Sequence, residues 1–131
     1  MLNVLITGAH RGIGLAITEL ALKRGNKVVA TCRHPSSAKE LIALREGYSD
    51  RCEIVSLDVV NEDSLHDAAL NIKDHLDLLV CNAGVLNGYG GVMSAENTVD
   101  AFRDVLMTNI ASPFFTTRYF LPHLRNCLLY T

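Results

Sequence analysis

Leu2-Asn3-Val4-Leu5-Ile6-Thr7-Gly8-Ala9-His10-Arg11-Gly12-Ile13-Gly14 is the stretch that decides the fold. Leu2 to Thr7 is an apolar run of the kind that forms a strand. A turn carrying Gly8, Gly12 and Gly14 follows, and from about Gly12 to Arg24 the pattern becomes helical. Ile13, Ala16, Ile17, Leu20 and Ala21 recur at the spacing of one helix face. Lys23 and Arg24 stand in the last turn, where cations complement the helix dipole, and Gly25 supplies the exit. A glycine-rich turn between a strand and a helix lets backbone approach an anion. The unpaired N–H groups at the helix start can then hold it. The spacing Gly8-x-x-x-Gly12-x-Gly14 differs from G-x-G-x-x-G, and the plainer alternative is a tight turn that packs helix on strand.

Outward from that stretch the alternation continues. Lys27 to Cys32 reads as a second strand. Pro35 and Ser36 open a helix, Ser37 with Glu40 has the capping-box spacing, and Gly47 closes it. Glu53 to Leu57 is a third strand, and Asn61 caps a helix with Glu62 and Asp63 in its first turn. Leu76 to Cys81 is a fourth strand, apolar almost throughout, as a strand covered on both faces should be. A glycine-bearing loop leads to a helical region from about Glu96 to Leu124 with Pro113 inside it. Strands alternating with helices predict βαβ units with right-handed crossovers. The expected fold is α/β, a Rossmann-type doubly wound parallel sheet in a three-layer αβα arrangement, four strands in the order 3-2-1-4. Residues 1–131 are expected to form one domain.

Composition narrows the function classes. With 49% hydrophobic residues and a net charge of −2, from 12 Lys+Arg against 14 Asp+Glu, the chain is neither disordered nor a general polyanion binder. No partnership with nucleic acid or membrane is expected, since no apolar run approaches ~18 residues. The N-terminus lacks a basic, apolar leader, which points to a cytoplasmic protein. Cys32, Cys52, Cys81 and Cys127 are scattered, as are the histidines, and no metal site is expected.

The chemistry-bearing residues cluster at strand ends. After the second strand, where a carboxylate would meet a free ribose 2′-hydroxyl, the chain reads Thr31-Cys32-Arg33-His34, with no acid until Glu40. Arg33 suits a 2′-phosphate, and Arg11 in the glycine turn adds a second charge. The pair points to NADP(H) rather than NAD(H). At the end of the fourth strand, Cys81-Asn82-Ala83-Gly84 combines small residues that admit a ligand with an amide that can tie neighbouring loops together.

These motifs together resemble the short-chain dehydrogenases/reductases. Thr7 to Gly14 matches that family's T-G-x-x-x-G-I-G, and Cys81 to Gly84 matches its N-N-A-G with Cys for the first Asn. Thr31-Cys32-Arg33 is similar to the T-x-R of its NADP-dependent carbonyl-reductase members, and the whole chain is similar to the C-factor-like or sniffer-like branch. The resemblance implies that Leu57-Asp58-Val59 lines the adenine pocket, with the Asp58 carboxylate accepting from the adenine amino group. It also implies that Asn109 is the helix asparagine of the catalytic set. Pro113 supports this physically: it has no N–H, so a regular helix there would leave the Asn109 carbonyl free and kinked outward. The implied reaction is hydride transfer between NADP(H) and a small carbonyl or alcohol substrate.

The family's catalytic Ser and Tyr-x-x-x-Lys have no counterpart among these residues. Tyr48, Tyr89 and Tyr119 are followed four residues on by Cys52, Met93 and His123, and Tyr130 by one residue only. The expectation is a cofactor-binding part of such an enzyme, truncated after about four strands. The alternatives are a non-catalytic nucleotide-binding or interaction module, or a truncated inactive product. Strand 76–81 would then be an apolar edge open to self-association. Tyr89 and the glycine loop 88–91 are a candidate substrate contact, weighed against a plain flexible loop, and the tail 126–131 reads either as a foreign end or as the start of another strand.

Overall fold

The computed structural model describes residues 1–88 and 90–124. Tyr89, Cys127, Tyr130 and the tail 126–131 therefore lie outside the described residues. Strands β1 (Asn3–Ile6), β2 (Lys27–Cys32), β3 (Cys52–Ser56) and β4 (Leu78–Val80) form one parallel sheet in the order β3-β2-β1-β4. Helices α1 (Gly12–Lys23), α2 (Lys39–Glu46), α3 (Glu62–Asn71), α4 (Val99–Leu106) and α5 (Ser112–Leu124) connect and cover it. No helix among the described residues is long and apolar enough to cross a membrane.

The pleat sorts each strand onto two cores. Val4 and Ile6 join Val28, Ala30 and Cys32 beneath Leu22 of α1 and Leu41 of α2. Leu5, pointing the other way, meets Leu57, Leu65 and Ala68 of the α3 side and Phe120 of α5. From Val4 to Ile6 both faces of β1 are thus buried, which is why these residues are apolar without alternation.

Local details depart from the sequence expectation. On α1 the buried positions are Gly14, Thr18 and Leu22; of the expected face, Ile17 and Ala21 pack against the core, while Ile13 and Leu20 are 74% and 48% exposed. The helix start is pressed so close to the β1 turn that only small residues fit there. The Ser37–Glu40 capping box does not form. Pro35 to Ser37 is a short 3₁₀ turn, the Ser37 hydroxyl donates to the His34 carbonyl (3.1 Å), and α2 begins at Lys39 with no side-chain cap. A cap residue needs extended backbone, and Ser37 is already wound into the turn. Asn61 does cap α3, its side chain accepting from the Ser64 N–H at 2.9 Å.

The long helical region is interrupted rather than simply kinked. Met107–Ala111 is π-helical between α4 and α5, with the Ser112 N–H reaching back to the Met107 carbonyl. Pro113 has no N–H to give, and the Ser112 hydroxyl donates instead to the Thr108 carbonyl at 2.5 Å. The fourth strand is shorter than 76–81. Leu76 is buried, its N–H held by the His123 carbonyl (3.0 Å), and only Leu78–Val80 lie in the ladder. β4 is nonetheless an edge, unpaired on its outer side among the described residues, with Leu78 46% exposed.

Candidate functional site

Four chain crossings meet at the carboxyl ends of the strands, where the order turns from β1 to β4. They enclose a groove of about 310 Å³. In open parallel sheets this is where ligands bind.

The glycine turn forms its floor. Gly8, at φ +65°, runs so close to β4 that an added Cβ would stand 2.9 Å from the Ala83 Cα. A Cβ on Gly14 would overlap the Gly8 carbonyl and stand 2.5 Å from the Asn82 Nδ2. Two predicted residues lock this contact. Asn82 Nδ2 donates to the carbonyls of Thr7 (3.0 Å) and Gly8 (3.1 Å). The Thr7 hydroxyl accepts from the backbone N–H groups of Asn82 and Ala83, both at 3.0 Å. Asn82 thus ties the loops as its chemistry suggested. Thr7 differs from expectation: it is buried and does not line the groove, so it positions the walls without reaching a ligand.

The remaining predicted contacts surround the same space. Gly8, Arg11, Gly12, Ile13 and Gly14 come from the turn and the first residues of α1, whose N-terminus has no side-chain cap. Arg33 stands at the end of β2, Asp58 and Val59 follow β3, and Asn82, Ala83 and Gly84 follow β4. Asp58 Oδ1 accepts from the Val60 N–H at 3.2 Å, and its own N–H is held by the Ser64 hydroxyl at 2.9 Å.

Asn109 does not line the groove. Its side chain instead accepts from the Val85 N–H and donates to the Val85 carbonyl, each at 2.8 Å, while its neighbour Thr108 and Val85 itself face the groove. His10, Cys32, Leu57, Val60, Val85 and Thr108 also line it. His10 had a signal, its place between two glycines beside Arg11. The others depended on how the loops stack. Burial first, then the charges of Arg11 and Arg33 and the nearby His34, push the His10 imidazole below its ordinary value. Burial also pushes up the Cys81 thiol at the end of β4, partly offset by a hydrogen bond with Thr117.

The parallel 3-2-1-4 sheet and a groove floored by a strand–glycine turn–helix unit define a Rossmann-like α/β protein. Residues 2–127 match the family model for short chain dehydrogenases, and the chain belongs to that family. An uncharacterized oxidoreductase of Schizosaccharomyces pombe is 32% identical over 121 residues, covering 89% of this chain and 47% of the relative. The NADPH-bound carbonyl reductase from chicken fatty liver superposes with a TM-score of 0.86 at 32% identity, covering 95% of this chain and 49% of that one. A Burkholderia multivorans protein of the short-chain dehydrogenase/reductase class with bound NADP gives a TM-score of 0.84 at 33% identity, over 93% of this chain and 53% of that one. The chain spans about half the length of the curated relatives it matches.

Proposed function

We propose that residues 1–131 are the NADP(H)-binding part of a reductase in the carbonyl-reductase/C-factor-like branch of the family, acting on a small carbonyl or alcohol substrate. The observation that carries this is Arg33 at the end of β2, on the same groove as Arg11 and the glycine turn, with no carboxylate at that strand end. A bidentate guanidinium favours a 2′-phosphate, whereas a free 2′-hydroxyl calls for an acid. NADPH in the chicken enzyme and NADP in the Burkholderia protein agree with this choice.

The groove suits such a cofactor on its own terms. Gly8 and Gly14 let the turn pack against the loop after β4 where a Cβ would clash, a Cβ on Gly12 would meet nothing within 4 Å, and the buried His10 Nδ1 there has no hydrogen-bond partner. In this reading Arg11 and Arg33 hold the 2′-phosphate, and Gly8, Gly12, Ile13 and Gly14 present backbone to the pyrophosphate. Asp58 and Val59 flank the adenine, and Asn82, Ala83 and Gly84 border the ribose nearer the nicotinamide. Thr7 fixes the floor from beneath. Asn109 holds the loop at Val85 and so shapes the nicotinamide end. Bound NADPH supplies the hydride, while the proton donor that carbonyl reduction requires is not a Tyr-x-x-x-Lys of these residues. Binding and orientation are therefore the roles assigned to them, and NAD(H) is the less favoured cofactor. The open edge of β4 makes self-association part of the same proposal.

The test is a titration of NADPH and NADH against the chain and its Arg33→Ala variant. NADPH is expected to bind more tightly than NADH, and Arg33→Ala to weaken NADPH by about tenfold or more while leaving NADH nearly unchanged. Equal loss for both nucleotides, or no binding of NADPH, would overturn the proposal.

A further inference from the structure

We propose that His10 is a proton-linked contact for the 2′-phosphate of NADPH, the ring taking up a proton as the phosphate arrives. This rests on the NADP(H) reading of the groove. His10 sits in the turn between Gly8 and Gly12 and lines the groove with Arg11 and Arg33. Its Nδ1 is closed off from solvent and makes no hydrogen bond. Among the described residues it is the one buried side-chain nitrogen or oxygen without a partner. Buried polar atoms are nearly always satisfied, so the ring of the free chain lacks a partner that would fix it, on a side chain that lines the groove.

The charges around the ring give the proton linkage its sign. Burial first, then the charges of Arg11, Arg33 and His34, lower the proton affinity of the ring in the free chain. Asp58 is the carboxylate on the groove wall, and one of its oxygens is engaged by the Val60 N–H. A phosphate monoester, with a charge of about −1.5 to −2 at pH 7, offsets the charge of the two arginines when it enters between them. The proton affinity of His10 is then higher in the complex than in the free chain. Binding takes up a proton between the two values, and affinity for NADPH falls as pH rises through that window. NADH, with no 2′-phosphate, carries no such linkage.

The test is calorimetric titration of NADPH and NADH into the chain and its His10→Asn variant between about pH 6 and 8, each in two buffers of different ionisation enthalpy. The phosphate's own proton, with a pKa of about 6, contributes in both proteins, so the difference between them is read as that of the coupled pair. The expected result is a steeper fall of NADPH affinity with pH for the unaltered chain than for His10→Asn, and a proton uptake that the variant lacks. NADH should show neither difference. Because the variant acts on a turn that also packs, the His10 ring proton resonances of the unaltered chain are followed with pH as well, with and without 2′,5′-ADP. A raised midpoint on adding the nucleotide supports the proposal. NADPH binding with equal pH slopes and an unmoved midpoint overturns the role of His10 alone. Failure of NADPH to bind either protein overturns the cofactor reading along with it.

Discussion

Asn109 and Val85 bond to each other twice, the amide of one side chain taking the place of a neighbouring strand for the other's backbone. Val85 N–H donates to Asn109 Oδ1 and Asn109 Nδ2 donates to the Val85 carbonyl, both at 2.8 Å. The π-helical segment that carries Asn109 is thereby clipped to the loop leaving β4, over an otherwise exposed contact. Gly84 lies next to this clip: a Cβ there would stand 3.4 Å from Asn109 Oδ1, in ordinary contact.

Asn109→Leu removes both bonds and keeps the approximate volume. The expected loss in a denaturant titration is about 1–2 kcal/mol, two modest hydrogen bonds at a partly solvated site. The sharper readout is local. The Val85 amide should exchange with deuterium markedly faster, while amides in β1 and β2 should keep their protection relative to global stability. Asn109→Asp, which keeps the acceptor and loses the donor, should fall between the two.

Gly14→Ala tests the floor of the groove. Its new methyl group meets the Gly8 carbonyl and the Asn82 amide, and one of these is backbone that cannot swing aside. α1 must lift or the Asn82 bonds must lengthen, at a cost of about 1–3 kcal/mol. The midpoint of urea unfolding should drop accordingly, and NADPH affinity should drop with it. Gly91→Ala is the control: no atom lies within 4 Å of the position a methyl would take, and both quantities should stay as they were.

The β4 edge carries a prediction about assembly. Leu78 is 46% exposed on a strand whose outer side has no partner among the described residues. Sedimentation velocity at tens of micromolar should show species larger than a monomer, and Leu78→Lys should shift them to monomer, because a charge on an edge strand opposes further pairing. A monodisperse monomer of the unaltered chain at that concentration would refute the expectation.

Much of the architecture was legible because its signals are local. Apolar runs at Leu2–Thr7 and Lys27–Cys32, a glycine turn and the cap at Asn61 each act over a few residues and mark the elements, and the crossover rule then led to the strand order. The groove was legible for the same reason. Its walls are strand ends, from which Arg33 and Asn82 were picked out, while Asp58 came from the family resemblance; all three line the groove. What escaped depended on contacts distant in sequence. Hydrophobic periodicity chose Ile13 and Leu20 for the buried side of α1, yet Gly14, Thr18 and Leu22 are inside, because the approach of α1 to Gly8 and Asn82 selects small residues over apolar ones. Thr7 matched a binding motif, but its hydroxyl is spent on the backbone of Asn82 and Ala83. Pro113 foretold a broken helix without revealing that the break would be π-helical. His10 could be named from the chain, but its orphaned nitrogen is visible only once the turn is folded.

The sheet order also has a consequence for the time course of folding. β1 pairs with β2 through Val4 and Val28, a short loop closure across α1, whereas Val4 meets Leu78 of β4 across about three times that stretch of chain. The more distant pairing is entropically the costlier search, so β4 is expected to dock after the β1–β2–β3 half has formed. One wall of the groove, Asn82 to Val85, arrives only with that last strand. The groove is therefore half-built until the end, and a ligand that needs both walls will hold the final strand in place rather than recruit an early intermediate.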